Sequence, residues 1–382
     1  MTGATVVEWV EQGQARSARW RSEGGNLPPR RVQLAQDTLT ADAAYRLAGD
    51  GTGMLWRGDF QNARQLLQAL ARRADRKPRQ AGKPALVLPA DAFHRHRMKQ
   101  GQRARILSML LVELDGSYGI GLRRAPDLRA ACTEAWGPAD GQSWVASLRE
   151  LLGLVGAHEW RKKGVAIAAL GSPPNNRIHA HYGVFSPVRG EYIELVARAP
   201  LPATSLAFDI GTGTGVLAAV LAGRGVQHVI ATDQDPRALA CARDNVSRLG
   251  LADRVEVVRA DLFPQGQAPL IVCNPPWVPG RPSSPIEHAV YDEGSRMLQG
   301  FLAGLAGHLT PGGEGWLILS DLAEHLGLRT REELTAWIAN AGLKVLAHTE
   351  VRPSHPKAGD PEDPLHAARS KELTGMWRLT AC

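Results

Sequence analysis

The sequence lacks the features that mark several common classes of protein. Its 382 residues include four cysteines, at positions 132, 241, 273 and 382, and none of them form a C-x-x-C pair. Scattered cysteines argue against a zinc knuckle or a disulfide framework and are typical of a reducing compartment. No apolar run approaches the roughly 18 residues of a membrane span, and the first residues do not resemble a secretory signal. We therefore expect a cytoplasmic protein with no metal site and no membrane partner.

Two common nucleotide-binding fingerprints are also missing, although a glycine-rich turn is present. Residues 206–210 are predicted to form a buried strand and residues 216–222 a helix, with Gly211, Gly213 and Gly215 between them. The dinucleotide fingerprint G-x-G-x-x-G would need glycine where Val216 stands, and no lysine follows these glycines as a P-loop requires. The sequence therefore disfavours an oxidoreductase of the dinucleotide-binding type and a P-loop nucleoside triphosphatase.

The pattern that is present is D-x-G-x-G-x-G, with Asp209 two residues before the first glycine. Glycines at every second position allow a sharp turn and the close approach of a ligand. The helix that follows offers free N–H groups to a polar group. An acid at this position would repel a pyrophosphate but would suit a cationic amino group. The pattern resembles motif I of the class I S-adenosylmethionine methyltransferases, whose ligand carries an ammonium and a sulfonium.

Three further candidate sites follow at the ends of predicted strands. Asp233 ends the strand 229–233 and lies 18 residues after Gly215, close to the roughly 20-residue spacing at which an acid meets ribose hydroxyls. Asp261 follows the strand 254–259, and Asn274 follows the strand 269–273. Ligands bind at the carboxyl ends of strands in open α/β sheets. The order and spacing of these four sites predict one ligand site at this edge.

The tetrapeptide Asn274-Pro275-Pro276-Trp277 suggests the chemistry. An exocyclic amine on a flat group is a poor nucleophile because its lone pair is delocalised. The Asn274 side-chain oxygen and the Pro275 carbonyl can accept its two N–H bonds, which frees the lone pair for attack on a methyl group. Positioning of this kind lowers a barrier by several kcal/mol. Trp277 can stack on the flat group. We predict Asn274, Pro275 and Trp277 as catalytic residues.

From about residue 180 onward the chain resembles the S-adenosylmethionine-dependent N-methyltransferases with an NPP-aromatic motif. These include the HemK-like glutamine methylases, the rRNA guanine-N2 methylases and the N6-adenine methylases. The segment 187–196 is similar to the P-R-P-E-T-E-x-L-V segment of the glutamine methylases, which Arg189 and Glu191 match and Gly190 and Tyr192 do not. The preceding residues 182–186 are nearer to the guanine methylases, so the sequence stands between two substrate classes.

The resemblance implies a fold and a set of roles. The fold is α/β, a Rossmann-like class I methyltransferase with a seven-stranded, mostly parallel sheet and the strands 343–350 and 376–380 as a C-terminal hairpin. The cofactor is S-adenosylmethionine, and neither a metal nor a general base is implied. The cofactor-binding residues on this basis are Asp209, Gly211, Gly213 and Gly215 for the methionine part, Asp233 for the ribose, Asp261 for the adenine amino group, and also Glu191. Asn274 would hold the target nitrogen.

The chain divides into a basic front half and a mildly acidic remainder. Residues 1–175 carry 26 Lys and Arg against 16 Asp and Glu, whereas residues 176–382 carry 19 against 22. We predict a basic N-terminal substrate-recognition domain at 1–172 and a methyltransferase domain at 173–382. In the first domain, a mixed α/β fold, the pattern predicts helices at 63–73, 93–114 and 144–155 and strands at 85–88 and 117–122.

Several functions remain open at this stage. The basic half favours RNA, in particular ribosomal RNA, as the partner, although an ordinary solvated basic face fits as well. The segment 187–196 favours a glutamine side chain of a translation protein. DNA adenine and a small-molecule amine fit less well. A different class of function is a non-catalytic S-adenosylmethionine- or RNA-binding module, against which Asn274 and the glycine turn argue.

Overall fold

The computed structural model describes residues 5–76, 88–353 and 360–382. The chain forms two compact units. Of the described residues, 5–76 and 94–159 belong to the first unit, and 88–93, 160–353 and 360–382 belong to the second. The predicted strand at 85–88 lies, except for Leu88, outside the described residues.

The first unit is built on a six-stranded mixed sheet in the order β1-β2-β6-β5-β4-β3. The β3–β4, β4–β5 and β2–β6 pairs are parallel, and the β1–β2 and β5–β6 pairs are antiparallel. The strands are β1 (Val6–Glu11), β2 (Gln14–Arg21), β3 (Arg31–Ala35), β4 (Thr52–Trp56), β5 (Leu110–Leu114) and β6 (Trp144–Ser147). The helices in this part of the chain are α1 (Ala41–Gly49), α2 (Phe60–Ala74), α3 (Pro89–Leu107), α4 (Arg129–Trp136) and α5 (Leu148–Lys163). The first residues of α3 and the last residues of α5 belong to the second unit.

Strand β4 and helix α2 both contribute to the core of this unit. Every residue of β4 is buried, as is typical of a parallel strand covered on both faces. Helix α2 packs its apolar stripe, Leu66, Leu67 and Leu70, inward, and its N-terminus is capped by the Asp59 side chain, which accepts from the Gln61 N–H. The predicted helix at 63–73 therefore exists and extends by a few residues at its N-terminal end.

One predicted element of this region is wrong, and two are wrong in part. The predicted helix 93–114 is helix α3 followed by strand β5, because the apolar run 110–114 lies buried between two neighbouring strands. Periodicity alone does not separate a buried strand from a buried helix segment. Residues 117–122 form no strand, because the Asp115 carboxylate accepts from the N–H groups of Ser117 and Gly119 and closes a loop. The predicted helix 144–155 begins as strand β6.

The second unit contains the predicted seven-stranded sheet, in the order β11-β10-β9-β12-β13-β15-β14. Its first five strands are parallel, and β15 lies antiparallel between β13 and β14. The strands are β9 (Leu206–Ile210), β10 (His228–Asp233), β11 (Val255–Arg259), β12 (Ala268–Cys273), β13 (Leu309–Ser320), β14 (Leu343–Val351) and β15 (Thr374–Ala381). A two-stranded sheet of β7 (Val165–Ala166) and β8 (Arg177–Ile178) precedes them. The predicted fold class is confirmed.

Helices cover both faces of this sheet. They are α6 (Glu191–Arg198), α7 (Val216–Gly223), α8 (Pro236–Arg248), α9 (Arg296–His308), α10 (Leu322–His325), α11 (Arg331–Asn340) and α12 (His366–Arg369). Alternate residues of each strand pack into the hydrophobic cores on opposite faces of the sheet. For example, Ala207 packs with α6 and α7, whereas Phe208 packs with α9 and α11. This alternation follows from the two-residue period of a strand and leaves the carboxyl ends of the strands for a ligand site.

The two units separate upstream of the boundary predicted between 172 and 173. Ile167 and Leu170 pack in the same core as Ile178 and Val196, all of which belong to the second unit. The loop at 171–177 therefore lies within the second unit, because the apolar residues on both sides of it share one core. None of the helices in the described parts of the chain is long and apolar enough to cross a membrane.

The start of α11 offers a test of this fold. The Thr330 hydroxyl accepts from the Glu333 N–H at 3.1 Å, and the Glu333 carboxylate accepts from the Thr330 N–H at 2.7 Å. This is a complete capping box. Thr330→Ala is expected to lower the free energy of unfolding by about 1 kcal/mol in urea titrations.

The control is Thr335→Ala in the same helix. The Thr335 hydroxyl bonds back to the Arg331 and Glu332 carbonyls on an exposed face and caps nothing. Because back-bonding of this kind does not stabilise a helix, this variant should unfold close to the wild type. If Thr330→Ala and Thr335→Ala lower the free energy of unfolding equally, the capping assignment is contradicted.

Candidate active site

The glycine turn between β9 and α7 has the backbone conformation that its sequence predicts. Gly211, Gly213 and Gly215 have φ angles of 72°, 55° and 80°, a region that residues with a side chain rarely adopt. A Cβ atom at Gly213 would meet nothing within 4 Å, so open space lies beside this backbone. A Cβ atom at Gly211 would collide with the Met297 side chain at 2.6 Å. The turn thus exposes bare backbone at its middle glycine, where a ligand can approach closely.

Hydrogen bonds to the Asp209 side chain stabilise this turn. Its side chain is buried, and Oδ2 accepts from the Thr212 hydroxyl at 2.6 Å and from the Ala218 N–H at 3.0 Å. One carboxylate oxygen therefore ties the strand end to the turn and to the first turn of α7. Burial raises the pKa of Asp209 to about 6, and the hydrogen bonds from Thr212 and Ala218 oppose that rise. This side chain fixes the shape of the turn in addition to any role it has toward a ligand.

Asp233 and Asp261 lie where the sequence predicts them, after two neighbouring strands. Asp233 ends β10 and accepts from the Gly213 N–H and the Asp235 N–H, both at 3.0 Å. Burial raises the pKa of Asp233. Asp261 follows β11 and accepts from the Gln234 carboxamide. The structure thus links Gly213 to Asp233, and Asp261 to Gln234, the residue that follows Asp233, at the carboxyl edge of the sheet.

The Asn274 loop leaves the end of β12, the neighbour of β9 on its other side. The Asn274 Oδ1 atom accepts from the Trp277 indole N–H at 2.8 Å. Pro275 is buried, and Trp277 is half-buried against apolar residues from both faces of the sheet. The four residues thus form a compact turn in which the Asn274 side chain is already oriented.

This loop lines a cavity of about 120 Å³. Asn274, Pro275 and Trp277 all contribute to its wall, and most of the remaining lining is apolar or aromatic, including Phe93, Val278, Val290 and Tyr291. A cavity of similar size in another protein holds benzene. The three predicted catalytic residues therefore meet at a space suited to a small flat group.

Arg189 also lines this cavity, and it is hydrogen-bonded to Glu191. Arg189 Nε donates to Glu191 Oε1 at 2.6 Å, whereas the other oxygen of Glu191 is buried and has no hydrogen-bond partner among the described residues. Tyr192 follows Glu191 and lines the cavity. Burial, and then the charges of Asp209 and Glu191, raise the pKa of Tyr192. Tyr192 therefore borders the cavity and lies within range of the Asp209 charge.

Sequence reasoning missed several residues of this site. Arg189 was recognised only as part of a motif, but its guanidinium lies over the Trp277 ring at 4.9 Å. Glu372 accepts from Arg189, yet it stands 183 residues away in the chain, so no local pattern points to it. Phe93 and Tyr291 line the cavity from segments that carry no motif. Within the described residues, no cluster of His, Cys, Asp and Glu could hold a metal ion.

Comparison with known proteins bears on this site directly. Residues 175–331 match the model of the methyltransferase small domain family. A release factor glutamine methyltransferase of Cereibacter sphaeroides is 36% identical over 131 residues, which are 33% of this chain and 43% of that protein. A ribosomal protein L11 methyltransferase of Pelotomaculum thermopropionicum is 31% identical over 147 residues, 35% and 42% of the two chains.

A tRNA1(Val) (adenine(37)-N6)-methyltransferase of Shewanella loihica is 32% identical over 114 residues, which are 28% of this chain and 46% of its own. The chain spans less than half the length of each of these relatives. The glycine turn and the Asn274 loop both lie within the matched residues 175–331. Residues 175–331 therefore form a class I methyltransferase domain similar to the methyltransferase small domain family, with S-adenosylmethionine as the cofactor.

The raised pKa of Asp209 generates a pH prediction. A carboxyl group with a folded pKa of about 6 and an unfolded pKa near 3.9 binds its proton more tightly in the folded state. Its contribution to stability is therefore gained as the pH falls through about 6 and is lost above it. Asp209→Asn removes this dependence. Between pH 7.5 and pH 4.5 the unfolding free energy of the wild type should gain on the variant by on the order of 2 kcal/mol.

The measurement is urea unfolding of both proteins, without cofactor, at several values of pH. Asp235→Asn is the control because Asp235 is an exposed helix cap, where asparagine serves as well as aspartate. If the difference between wild type and Asp209→Asn stays constant with pH while the control behaves as expected, the burial of a charge at Asp209 is contradicted.

Proposed function

We propose that this protein transfers a methyl group from S-adenosylmethionine to a planar exocyclic amine on a nucleobase of RNA, with ribosomal RNA as the first candidate. The observation that carries the proposal is the position of Asn274. Its side-chain oxygen lies on the wall of an apolar cavity, next to Pro275 and Trp277, at the strand edge that holds the glycine turn. Such a substrate implies a cytoplasmic location.

The residues around the glycine turn fit S-adenosylmethionine. Open space beside Gly213 would admit the methionine part close to the backbone. The unpartnered, buried oxygen of Glu191 is an acceptor that suits an ammonium group, because a buried carboxylate oxygen without a partner is costly. Asp233 and Asp261 would hold the ribose and the adenine amino group. When bound, the cofactor supplies an electrophilic methyl group.

Asn274 performs the central step on the protein side. Its Oδ1 would accept one N–H of the target amine and the Pro275 carbonyl the other, which holds the nitrogen lone pair away from the flat ring. The apolar wall excludes water, and this strengthens both hydrogen bonds. The product amine is cationic and strongly acidic, so its proton can leave to water after the transfer, when the product leaves the cavity. Asp209 is not required as a base, and its buried position in the turn does not suit that task.

Two features support RNA as the substrate. The cavity has aromatic walls at Phe93, Trp277 and Tyr291, and aromatic side chains stack on unpaired bases. Residues 1–175 carry ten more basic than acidic side chains, and such an excess favours phosphate contacts whose strength falls with salt. One of the relatives, the tRNA1(Val) methyltransferase, acts by its name on an adenine N6.

The second candidate is the glutamine side chain of a translation protein. A carboxamide is also planar and offers two N–H bonds to Asn274 and Pro275. Arg189 and Glu191 match the segment that is typical of the glutamine methylases, and their side chains are hydrogen-bonded to each other beside the cavity. The relative from Cereibacter sphaeroides bears the name of that activity. The non-catalytic binding module stays a third possibility that turnover would exclude.

The substrate class is tested with purified protein, radiolabelled S-adenosylmethionine and cell extract treated beforehand with RNase or with protease. Transfer lost only after RNase treatment is the expected result and identifies RNA. Transfer lost only after protease treatment would replace RNA by the glutamine candidate. Binding of S-adenosylmethionine without transfer to either pool would favour the binding module.

Asn274→Ala tests the catalytic assignment. The variant should lower kcat by about 100-fold or more, because it removes an acceptor aimed at the reacting amine. Binding of S-adenosylmethionine, measured by calorimetry, should stay near the wild-type value. Asn340→Ala is the control because Asn340 is exposed at the end of α11. Full activity of Asn274→Ala would contradict the assignment.

A further inference from the structure

The Asn274 carboxamide has an orientation that the residues around it determine. Its Oδ1 accepts from the Trp277 indole N–H at 2.8 Å. An indole N–H is a donor only, whereas a carboxamide presents an oxygen with two lone pairs on one side and an NH2 group on the other. A flipped carboxamide would place two donors against each other. The indole therefore selects the orientation in which oxygen, with one lone pair left, is available.

Trp277 is itself held by a charged group. The Arg189 guanidinium lies over the indole ring at 4.9 Å from its centroid, a distance at which a cation and an aromatic face attract each other. Trp277 is half-buried and packs against Val278 and other apolar residues of the cavity wall. Its ring is thus bounded by a cation and by the wall of the cavity.

Arg189 is held in turn by two buried carboxylates. Its Nη1 and Nη2 donate to Glu372 Oε1, each at 3.1 Å, and its Nε donates to Glu191 at 2.6 Å. The Glu372 and Glu191 side chains are only 2% and 5% exposed. Ser320, at the end of β13, also donates to Glu372 Oε1, at 2.8 Å. A planar fork with two carboxylate partners has few alternative positions.

We infer that the indole N–H of Trp277 orients the Asn274 carboxamide toward the target amine, and that the Arg189 guanidinium holds the indole in place. This inference rests on the proposed function, since Asn274 must accept from the amine. It assigns Arg189 and Glu372 as positioning residues that act on Asn274 through Trp277, although both also line the cavity. It also gives Trp277 a hydrogen-bonding task that a phenyl ring cannot perform.

The first test is Trp277→Phe, which keeps a flat ring for stacking and removes the N–H. The variant should lower kcat by about tenfold or more, while KM changes by no more than about twofold. If Trp277 served only to stack on the substrate, Phe would keep kcat and any loss would appear in KM. Trp337→Phe, at another half-buried tryptophan of the same unit, is the control and should leave both constants unchanged.

The second test is a double-mutant cycle. Arg189→Lys keeps the charge but loses the fork, and should lower kcat in the same direction as Trp277→Phe. If Arg189 acts through the indole, the double variant should be no worse than Trp277→Phe alone, because residues that act on one another are not additive. If the losses in kcat of the two single variants multiply in the double variant, Arg189 does not act through the Trp277 indole. Arg198→Lys is the control, since Arg198 is 82% exposed.

A readout that does not depend on turnover completes the design. In protein with ¹⁵N-labelled asparagine, the Asn274 side-chain amide should give one sharp pair of signals, assigned by its loss in Asn274→Ala. In Trp277→Phe and in Arg189→Lys this pair should broaden or double. An unchanged pair in both variants, or unchanged kcat in Trp277→Phe, overturns the inference and leaves the methyltransferase assignment intact. Failure of the wild type to transfer any methyl group would instead contradict the proposed function.

Discussion

The site depends on one buried carboxylate near the end of strand β9. Asp209 accepts from the Thr212 hydroxyl and the Ala218 N–H, so it joins strand, turn and helix at a single oxygen. The cost of this arrangement is a charge held away from water, which raises the pKa of the group. In return the three glycines keep left-handed conformations, and the turn presents backbone to a ligand. Asp233 fixes the same turn from the neighbouring strand through the Gly213 N–H.

The second half of the site depends on a chain of oriented groups. Buried carboxylates hold Arg189, Arg189 covers Trp277, and Trp277 donates to Asn274. Each link restricts the next, so under the proposed function the Asn274 acceptor is oriented before a substrate arrives. Preorganisation of this kind is the usual source of electrostatic catalysis, since the protein does not have to rearrange during the reaction. Tyr192 borders the cavity, and the charge of Asp209 contributes to its raised pKa.

Much of the second unit could be predicted, because its signals are local. The alternating glycines after an apolar strand, and an acid or asparagine after each next strand, are features of short segments. The contacts of Glu372 could not be predicted, because they join residues far apart in the chain. In the first unit the apolar run 110–114 was predicted as helix and is strand β5. Leucine fits both states, and only the position between two strands decides between them.

The most direct test of the account is a crystal structure of the protein with bound S-adenosylmethionine. In that structure the methionine part should lie along Gly213 with its ammonium beside Glu191, and the sulfonium methyl should point into the cavity that Asn274 lines. Density for the cofactor at another site, or a methyl group directed away from Asn274, would contradict the claim that the glycine turn and the Asn274 loop form one active site.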